Sequence, residues 1–437
     1  MTSMIGIQDS YAVLKSRLTA LAPAALLRRD AAIQSAVQRG FPNTRDEDWK
    51  YTSLRDFLNQ EFKVAAKPPL TETSQFDIVE LQKSLISGGI HLVFIDGELS
   101  LGLSDTRKAG EKVSFKTLFD AESTDDAKWA HFDSMSGSEN VFSKLAIGLS
   151  IHGVCIKVPN RQEVDEPIHI LHIVTPAWQG FSHSQRVVIE VGRLSQLTVV
   201  EEFCTIGPTK CHLNSLTQLV VEEGAYAGYY RIDRSSDCVY QTGQVSVTLE
   251  RDAHVDTFSL ACGSRLNRVN LDVVFEAQGG ECALNGLYLL HSDNQVVDHH
   301  TKVVHAAPNC ISRQVYKGIL AGKSKAVFNG KILIQRGATQ SEAYQSNKNL
   351  LLSNESEVDT KPELQIDNDD VKASHGATVG SIDQQELFYL QKAQSILCKG
   401  FANDVALKCQ NRAVKRLLEE RIDYWFRHKP LNESLGH

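Results

Sequence analysis

The chemistry this chain could perform rests on a few imidazoles and thiols set among short β-prone runs. One imidazole stands apart: His375, in Asp370-Val371-Lys372-Ala373-Ser374-His375-Gly376-Ala377-Thr378-Val379-Gly380. Alternating apolar positions with small and polar residues between them read as strand and turn, not helix. A neutral imidazole is a good ligand for iron, and Gly376 and Gly380 allow another backbone to come close. The competing reading of His375 is a ring hydrogen-bonded inside a tight glycine turn.

The densest imidazole group is His291, Asp298, His299, His300 and His305. Neighbouring strand residues face opposite sides, so His299 and His300 cannot share one metal without a bulge, whereas Asp298 and His300 share a face. The plainer reading is a polar face or turns whose rings are satisfied by hydrogen bonds. Nine cysteines (155, 204, 211, 238, 262, 282, 310, 398 and 409) are scattered with no CxxC spacing and suit small apolar fillers. Cys310, beside Pro308 and Asn309 in an expected turn, is the candidate exposed thiol, although no base adjoins it in sequence. Gly318-Ile319-Leu320-Ala321-Gly322-Lys323-Ser324 looks like a phosphate-binding loop. It has three residues between its glycines where the motif has four, and it leads into the strand-like Ala326-Val327-Phe328. A phosphate loop must open a helix, so nucleotide binding is not expected here and any ATPase activity belongs to another chain.

Those residues need elements to position them. A chain of 437 residues is too long for one core, and its composition is that of an ordinary globular protein. A net charge of -7 gives no reason to expect nucleic acid. The cysteine pattern suits neither a secreted disulfide framework nor a zinc site, which favours a reducing cytoplasm. The apolar stretch Leu18 to Leu27 lacks a basic lead-in, and no window has the length of a membrane span. Tyr11 to Arg39 reads as a pair of helices stopped by Gly40 and Pro42, Ile90 to Leu99 as a strand and turn with Asp96-Gly97 at the tip, and Asn140 to Leu149 as a helix. From Val154 to Ile382 the pattern is all β. Turn residues Gly192, Gly224, Asp252 and Gly280 precede similar strands at intervals of 32, 28 and 28, with less regular spacing through Gly322, Gly337 and Glu355. Such repeats fit a solenoid, with a sandwich or jelly roll as the alternative. After Asp383 apolar residues return at helical spacing, enough for about three helices, with Arg412, Lys415, Arg416, Arg421 and Arg427 giving a basic face. The divisions expected are an N-terminal helical and mixed region (1-150), a β core (151-383) and a C-terminal helical module (384-437).

Four strings carry a family resemblance: the one around His375, Gln345-Ser346-Asn347-Lys348-Asn349-Leu350-Leu351-Leu352-Ser353, Lys361-Pro362-Glu363-Leu364-Gln365-Ile366, and Glu386-Leu387-Phe388-Tyr389-Leu390. With Arg45-Asp46-Glu47-Asp48-Trp49-Lys50-Tyr51-Thr52-Ser53-Leu54 they resemble the SufB/SufD family of the SUF iron–sulfur cluster assembly system, over most of the chain. Read without the resemblance, the Trp49 string is a helix start whose aromatic ring docks on the core. The resemblance implies a right-handed parallel β-helix, no enzymatic activity, and a heterodimer with a SufB-like paralogue. It further implies a SufC-like ABC ATPase docked on the terminal helices, with a homodimer when the chain is isolated. No membrane partner is implied. Cofactors would be limited to a transient iron–sulfur cluster or iron at the partner interface, with none permanently bound. His375 is the residue it marks as iron or nascent-cluster ligand, and Lys372, Ser374, Gly376, Phe388, Tyr389 and Leu390 as partner-binding. Two departures stand out. Ala373 occupies the place of a common family cysteine, so cluster thiolates would come mainly from the partner. Gln391-Lys392-Ala393-Gln394 replaces an Arg-Gly turn. Rival readings are a β-helical polysaccharide-active enzyme working with paired carboxylates, or a homodimeric iron-binding or delivery protein built on the His291 to His305 group.

Overall fold

Alternation of inward and outward side chains, repeated strand after strand, is what winds this chain into a solenoid. The computed structural model describes residues 4–64, 81, 84–124, 128–135, 140–381 and 391–428. Helices α1 (Met4–Lys15) and α2 (Pro23–Arg39) and the short α3 (Arg55–Leu58) come first. Strands β1 (Lys63–Val64), β2 (Ile90–Ile95), β3 (Glu98–Leu99) and β4 (Ser114–Thr117) follow, then helices α4 (Leu118–Glu122), α5 (Lys128–Met135) and α6 (Val141–Leu149). The coils begin with β5 (His152–Val158), β6 (Ile168–Val174), β7 (Phe181–Val191), β8 (Gln196–Thr205), β9 (His212–Val221) and β10 (Tyr226–Asp233). They continue through β11 (Tyr240–Leu249), β12 (His254–Ala261), β13 (Leu266–Phe275), β14 (Glu281–Leu290) and β15 (Val296–His305). The last are β16 (Ile311–Leu320), β17 (Lys325–Ile334), β18 (Ser341–Leu351), β19 (Glu357–Ile366) and β20 (Val371–Ser381), before helices α7 (Gln391–Ala406) and α8 (Arg412–His428).

From β5 onward, odd and even strands form two separate sheets. One runs β19-β17-β15-β13-β11-β9-β7-β5-β4 with β1 on β7, the other β20-β18-β16-β14-β12-β10-β8-β6-β2-β3. Each coil supplies one strand to each sheet, and coil-to-coil pairing is parallel from β5 and β6 to the end. At the N-terminal end the pattern closes with antiparallel pairs, β2 with β3 and β4 with β5. The expected strand and turn at Ile90 to Leu99 is the first of these, with Asp96 and Gly97 both at positive φ. The fold is therefore the parallel β-solenoid expected, and the sandwich alternative falls.

The even-sheet strands from β6 onward start at residues 168, 196, 226, 254, 281, 311, 341 and 371, a coil of 27 to 30 residues. One corner recurs before them. Arg161, Leu194, Gly224, Asp252, Gly279, Asn309 and Gln340 all adopt positive φ, and each of the seven donates its amide to a carbonyl of the next coil at 2.6–3.2 Å. Two of the four turn residues read from sequence, Gly224 and Asp252, belong to this ladder. Its continuation is Asn309 and Gln340, while Gly322 lies at the other corner, between β16 and β17.

Val269, Leu271, Val273 and Phe275 of β13 and Ala326, Phe328, Ile332 and Ile334 of β17 point into the lumen with their counterparts from the even sheet. The outer faces are covered unequally. Helix α6, capped by Asn140, whose side chain accepts from the amides of Phe142 and Ser143, packs on β7, β9 and β11 beneath α2. Helices α7 and α8 cover the even sheet through Ala402, Val405, Leu418, Ile422 and Trp425. The expected basic face of α8 is incomplete, because Arg421 turns inward to Glu202 at 2.9 Å. Every residue of β11 is buried, whereas β20 is exposed along most of its length. Among the described residues nothing pairs with the outer edges of β19 and β20. The first 150 residues share the sheets of the core through β1, β2 and β4. No described helix is long and apolar enough to cross a membrane.

Candidate functional site

His375 lies on β20, the last strand of its sheet, and is exposed. Val371 and Ala373 of the same strand pack against the lumenal core, so alternation puts His375, Ala377 and Val379 on the lumen-facing side. The string is one continuous strand from Val371 to Ser381, and neither Gly376 nor Gly380 has positive φ. This corrects the expectation of strand and turn and removes the tight-turn reading of His375. What the glycines do instead is leave the outer face bare: a Cβ on Gly376 would meet nothing within 4 Å.

Behind His375 the lumen is polar. In the parallel register His375 stands beside Gln345, Gln345 beside Gln314, and Gln314 beside Leu284. Gln345, Asn347 and Asn349 are all buried, which explains the alternating amides of the string that begins at Gln345. Asn347 Nδ2 donates to Tyr288 Oη at 3.1 Å, Asn349 Nδ2 to Asn347 Oδ1 at 2.7 Å, and the Tyr288 hydroxyl to Asn349 Oδ1. Gly318 leaves room for the Tyr288 ring, which a Cβ there would strike. These lumenal amides were marked in sequence only by resemblance: alternation puts the three on one face, but which face is buried depends on how the strand packs.

Of the expected partner-binding residues, Lys372, Ser374 and Gly376 lie on the opposite, exposed face of β20, with Lys372 Nζ held 2.9 Å from Glu342. Phe388, Tyr389 and Leu390 lie outside the described residues. The neighbouring edge strand β19 is joined to the Trp49 string by an ion pair of 2.6 Å between Lys361 and Glu47.

The His291 to His305 group comes apart. His299 faces the lumen, edge-on to Tyr288 and Tyr316, while His305 Nε2 lies 2.9 Å from Ser312 Oγ. His291 stacks edge-on against Trp425 beneath α8. Asp298 and His300 do share the outer face, with His300 Nε2 3.1 Å from Asp298 Oδ1. Their real partner is the Trp49 string. Thr52 and Arg268 both donate to Asp298, Arg268 donates to the Asp48 carbonyl at 2.8 Å, and its guanidinium lies 4.2 Å from the Trp49 ring centre. Burial pushes the Asp298 carboxyl up, but the Arg268 charge, the His300 ring and the Thr52 hydroxyl together outweigh it and hold the group below its ordinary range. Trp49 is thus docked as expected, on a short 3-10 turn, Glu47–Trp49. Arg268 was not visible in sequence because more than 200 residues separate it from its partners in that string. Among the described residues no group of three His, Cys, Asp or Glu side chains could hold a metal.

Cys310 is buried, which corrects its reading as an exposed thiol. The exposed corner residue is Asn309, and Cys310 turns inward with its Sγ 3.4 Å from the Pro308 carbonyl. The phosphate-loop lookalike is the end of β16, a corner at Gly322 and the start of β17, with no helix.

Comparison with known proteins agrees with this geometry. Residues 174–401 match the model described as "SUF system FeS cluster assembly, SufBD core domain", and residues 8–170 match "SufBD protein N-terminal region". The chain is 28% identical over 404 residues to the iron-sulfur cluster assembly protein SufD of Escherichia coli, covering 89% of this chain and 90% of that one. It is 26% identical to the SufBD family protein slr0076 of Synechocystis, over 83% of each chain. It is 25% identical to the chloroplastic protein ABCI7 of Arabidopsis thaliana, covering 89% of this chain and 83% of that one.

Proposed function

Since this chain belongs to the SufBD family of the SUF iron–sulfur cluster assembly system, we propose that it is a non-catalytic scaffold subunit of an assembly complex, with His375 as its contribution to the site. The observation that carries this is the open end of the solenoid: an exposed outermost strand, unpaired on its far edge among the described residues, with an imidazole at its middle. Such an edge offers backbone donors and acceptors to another strand, and a longer SufB-like paralogue is the partner it suits.

A nascent cluster, or its iron, is the cargo. His375 supplies a neutral nitrogen donor to it, and Ala373 supplies nothing. No cysteine lies between Cys310 and Cys398, so thiolates for the cluster come from the partner. A SufC-like ATPase docks on α7 and α8, where Ile396, Leu397 and Tyr424, with Leu407 just after α7, remain exposed. Closure of two ATPase subunits on ATP then shifts the seam at β20. The setting is the cytoplasm.

The test is purification of the tagged chain from its own cell, as wild type and as His375→Ala. Wild type brings down a paralogue and a P-loop ATPase and supports cluster maturation. His375→Ala brings down the same partners with maturation lost. Full maturation by the variant refutes the role of His375, and absence of both partners refutes the scaffold reading.

A further inference from the structure

We propose that Gln345 is a positioning residue for His375, its buried carbonyl oxygen taking the Nδ1–H of the ring so that Nε2 faces out over the open end. This rests on the reading of His375 as the ligand that meets iron. Three observations converge on it. Gln345 and His375 are register partners on adjacent strands of the parallel pair β18 and β20, on the same lumen-facing side, and such neighbours stand about 4.8 Å apart. Gln345 is 4% exposed, yet its Oε1 has no hydrogen-bond partner among the described residues. Its other end is fixed: Nε2 donates to Gln314 Oε1 at 3.3 Å, and that oxygen also accepts from the Thr301 hydroxyl at 2.8 Å. The amide keeps its bond to Gln314 only in this orientation or if Gln314 turns with it, and in the orientation present its acceptor is directed away from that anchor.

Gly330 of β17 supports the same arrangement. A Cβ there would run into the Gln345 amide, so the lumen is cleared at this point for that side chain. A buried carbonyl without a donor is unfavourable, and His375 is the donor-bearing side chain on the next strand of the file. Nδ1 is the ring nitrogen nearer its own backbone, so it is the one a register partner on the adjacent strand would meet, while Nε2 projects further from the strand. A hydrogen bond at one ring nitrogen fixes the tautomer and leaves the lone pair on the other, which is how an imidazole is prepared for a metal.

The experiment is nitrogen-15 NMR of histidine-labelled full-length chain, the His375 signals assigned by their loss in His375→Ala. Wild type is expected to hold His375 mainly as the Nδ1–H tautomer. Gln345→Met, close in volume but without the acceptor, shifts the ring towards Nε2–H, and Gln345→Glu, whose buried carboxyl in its protonated form keeps both a donor to Gln314 and an acceptor for the ring, restores Nδ1–H. Cluster maturation should fall roughly 10- to 100-fold in Gln345→Met and recover in Gln345→Glu. The same tautomer in wild type and Gln345→Met overturns the proposal whatever the maturation assay gives. A tautomer change together with full maturation by His375→Ala leaves the positioning intact and refutes only the ligand role.

Discussion

Asp298 can be replaced in two ways that separate charge from shape. Asp298→Ala leaves the Arg268 guanidinium buried without its carboxylate, a change expected to cost about 3–5 kcal/mol of folding stability by urea titration. Asp298→Asn keeps the shape and removes the charge. Because the folded-state carboxyl sits below its ordinary range, its contribution is complete above about pH 4 and is lost as pH falls below that. Wild type should therefore lose more stability than Asp298→Asn on acidification below pH 4, and equal losses would show that Arg268 does not hold the charge. The pairing of Asp298 with His300 could be read from a spacing of two on one strand face. Arg268 and Thr52 could not, since only the register of β13 with β15 and the docking of the Trp49 string bring them to Asp298. Cys310 was misread for a local reason: a corner residue at positive φ faces solvent, and the residue after it, just before the next strand, turns inward.

At the scale of the strand and corner, the period was legible and its bookkeeping was not. A search for glycine finds Gly224, but the same corner is made by Leu194, Asp252, Asn309 and Gln340, because the inter-coil amide bond holds the backbone there whichever residue is present. Gly279 differs from these, since a Cβ on it would collide with the Asp252 carboxylate one coil away. Gly279→Ala should cost at least about 1–2 kcal/mol, while Asn309→Gly should be nearly neutral, both by chemical denaturation. Equal effects would mean that the corner tolerates any residue and that the ladder adds no constraint. The string around His375 was seen as β from its alternation. Its glycines suggested a turn, but they lie in an extended strand, where a Cβ on Gly376 would meet nothing within 4 Å.

Across the whole molecule, buried imidazoles set the response to acid. Burial pushes His183, His212 and His299 to about 3 and His305 to about 4, from an ordinary value of 6.5. A depressed folded-state value means that the unfolded chain binds the proton first. The stability these groups contribute is complete above about pH 6.5 and declines as pH falls towards 4, each by up to about 1.4 kcal/mol per pH unit. The denaturant midpoint should drop steeply across that window, and a flat profile would mean that these buried histidines accept protons in place. Among the described residues the same body is closed at one end by antiparallel pairs and open at the other, and the account turns on what covers the open end. Its most direct measurement is photo-crosslinking in the native cell from an amino-acid probe at position 378 of β20, with a probe at exposed Leu194, on an earlier coil, as control. The account predicts a crosslink from 378 to a longer paralogue and none from 194. No crosslink from 378, or the same paralogue captured from 194, would contradict it.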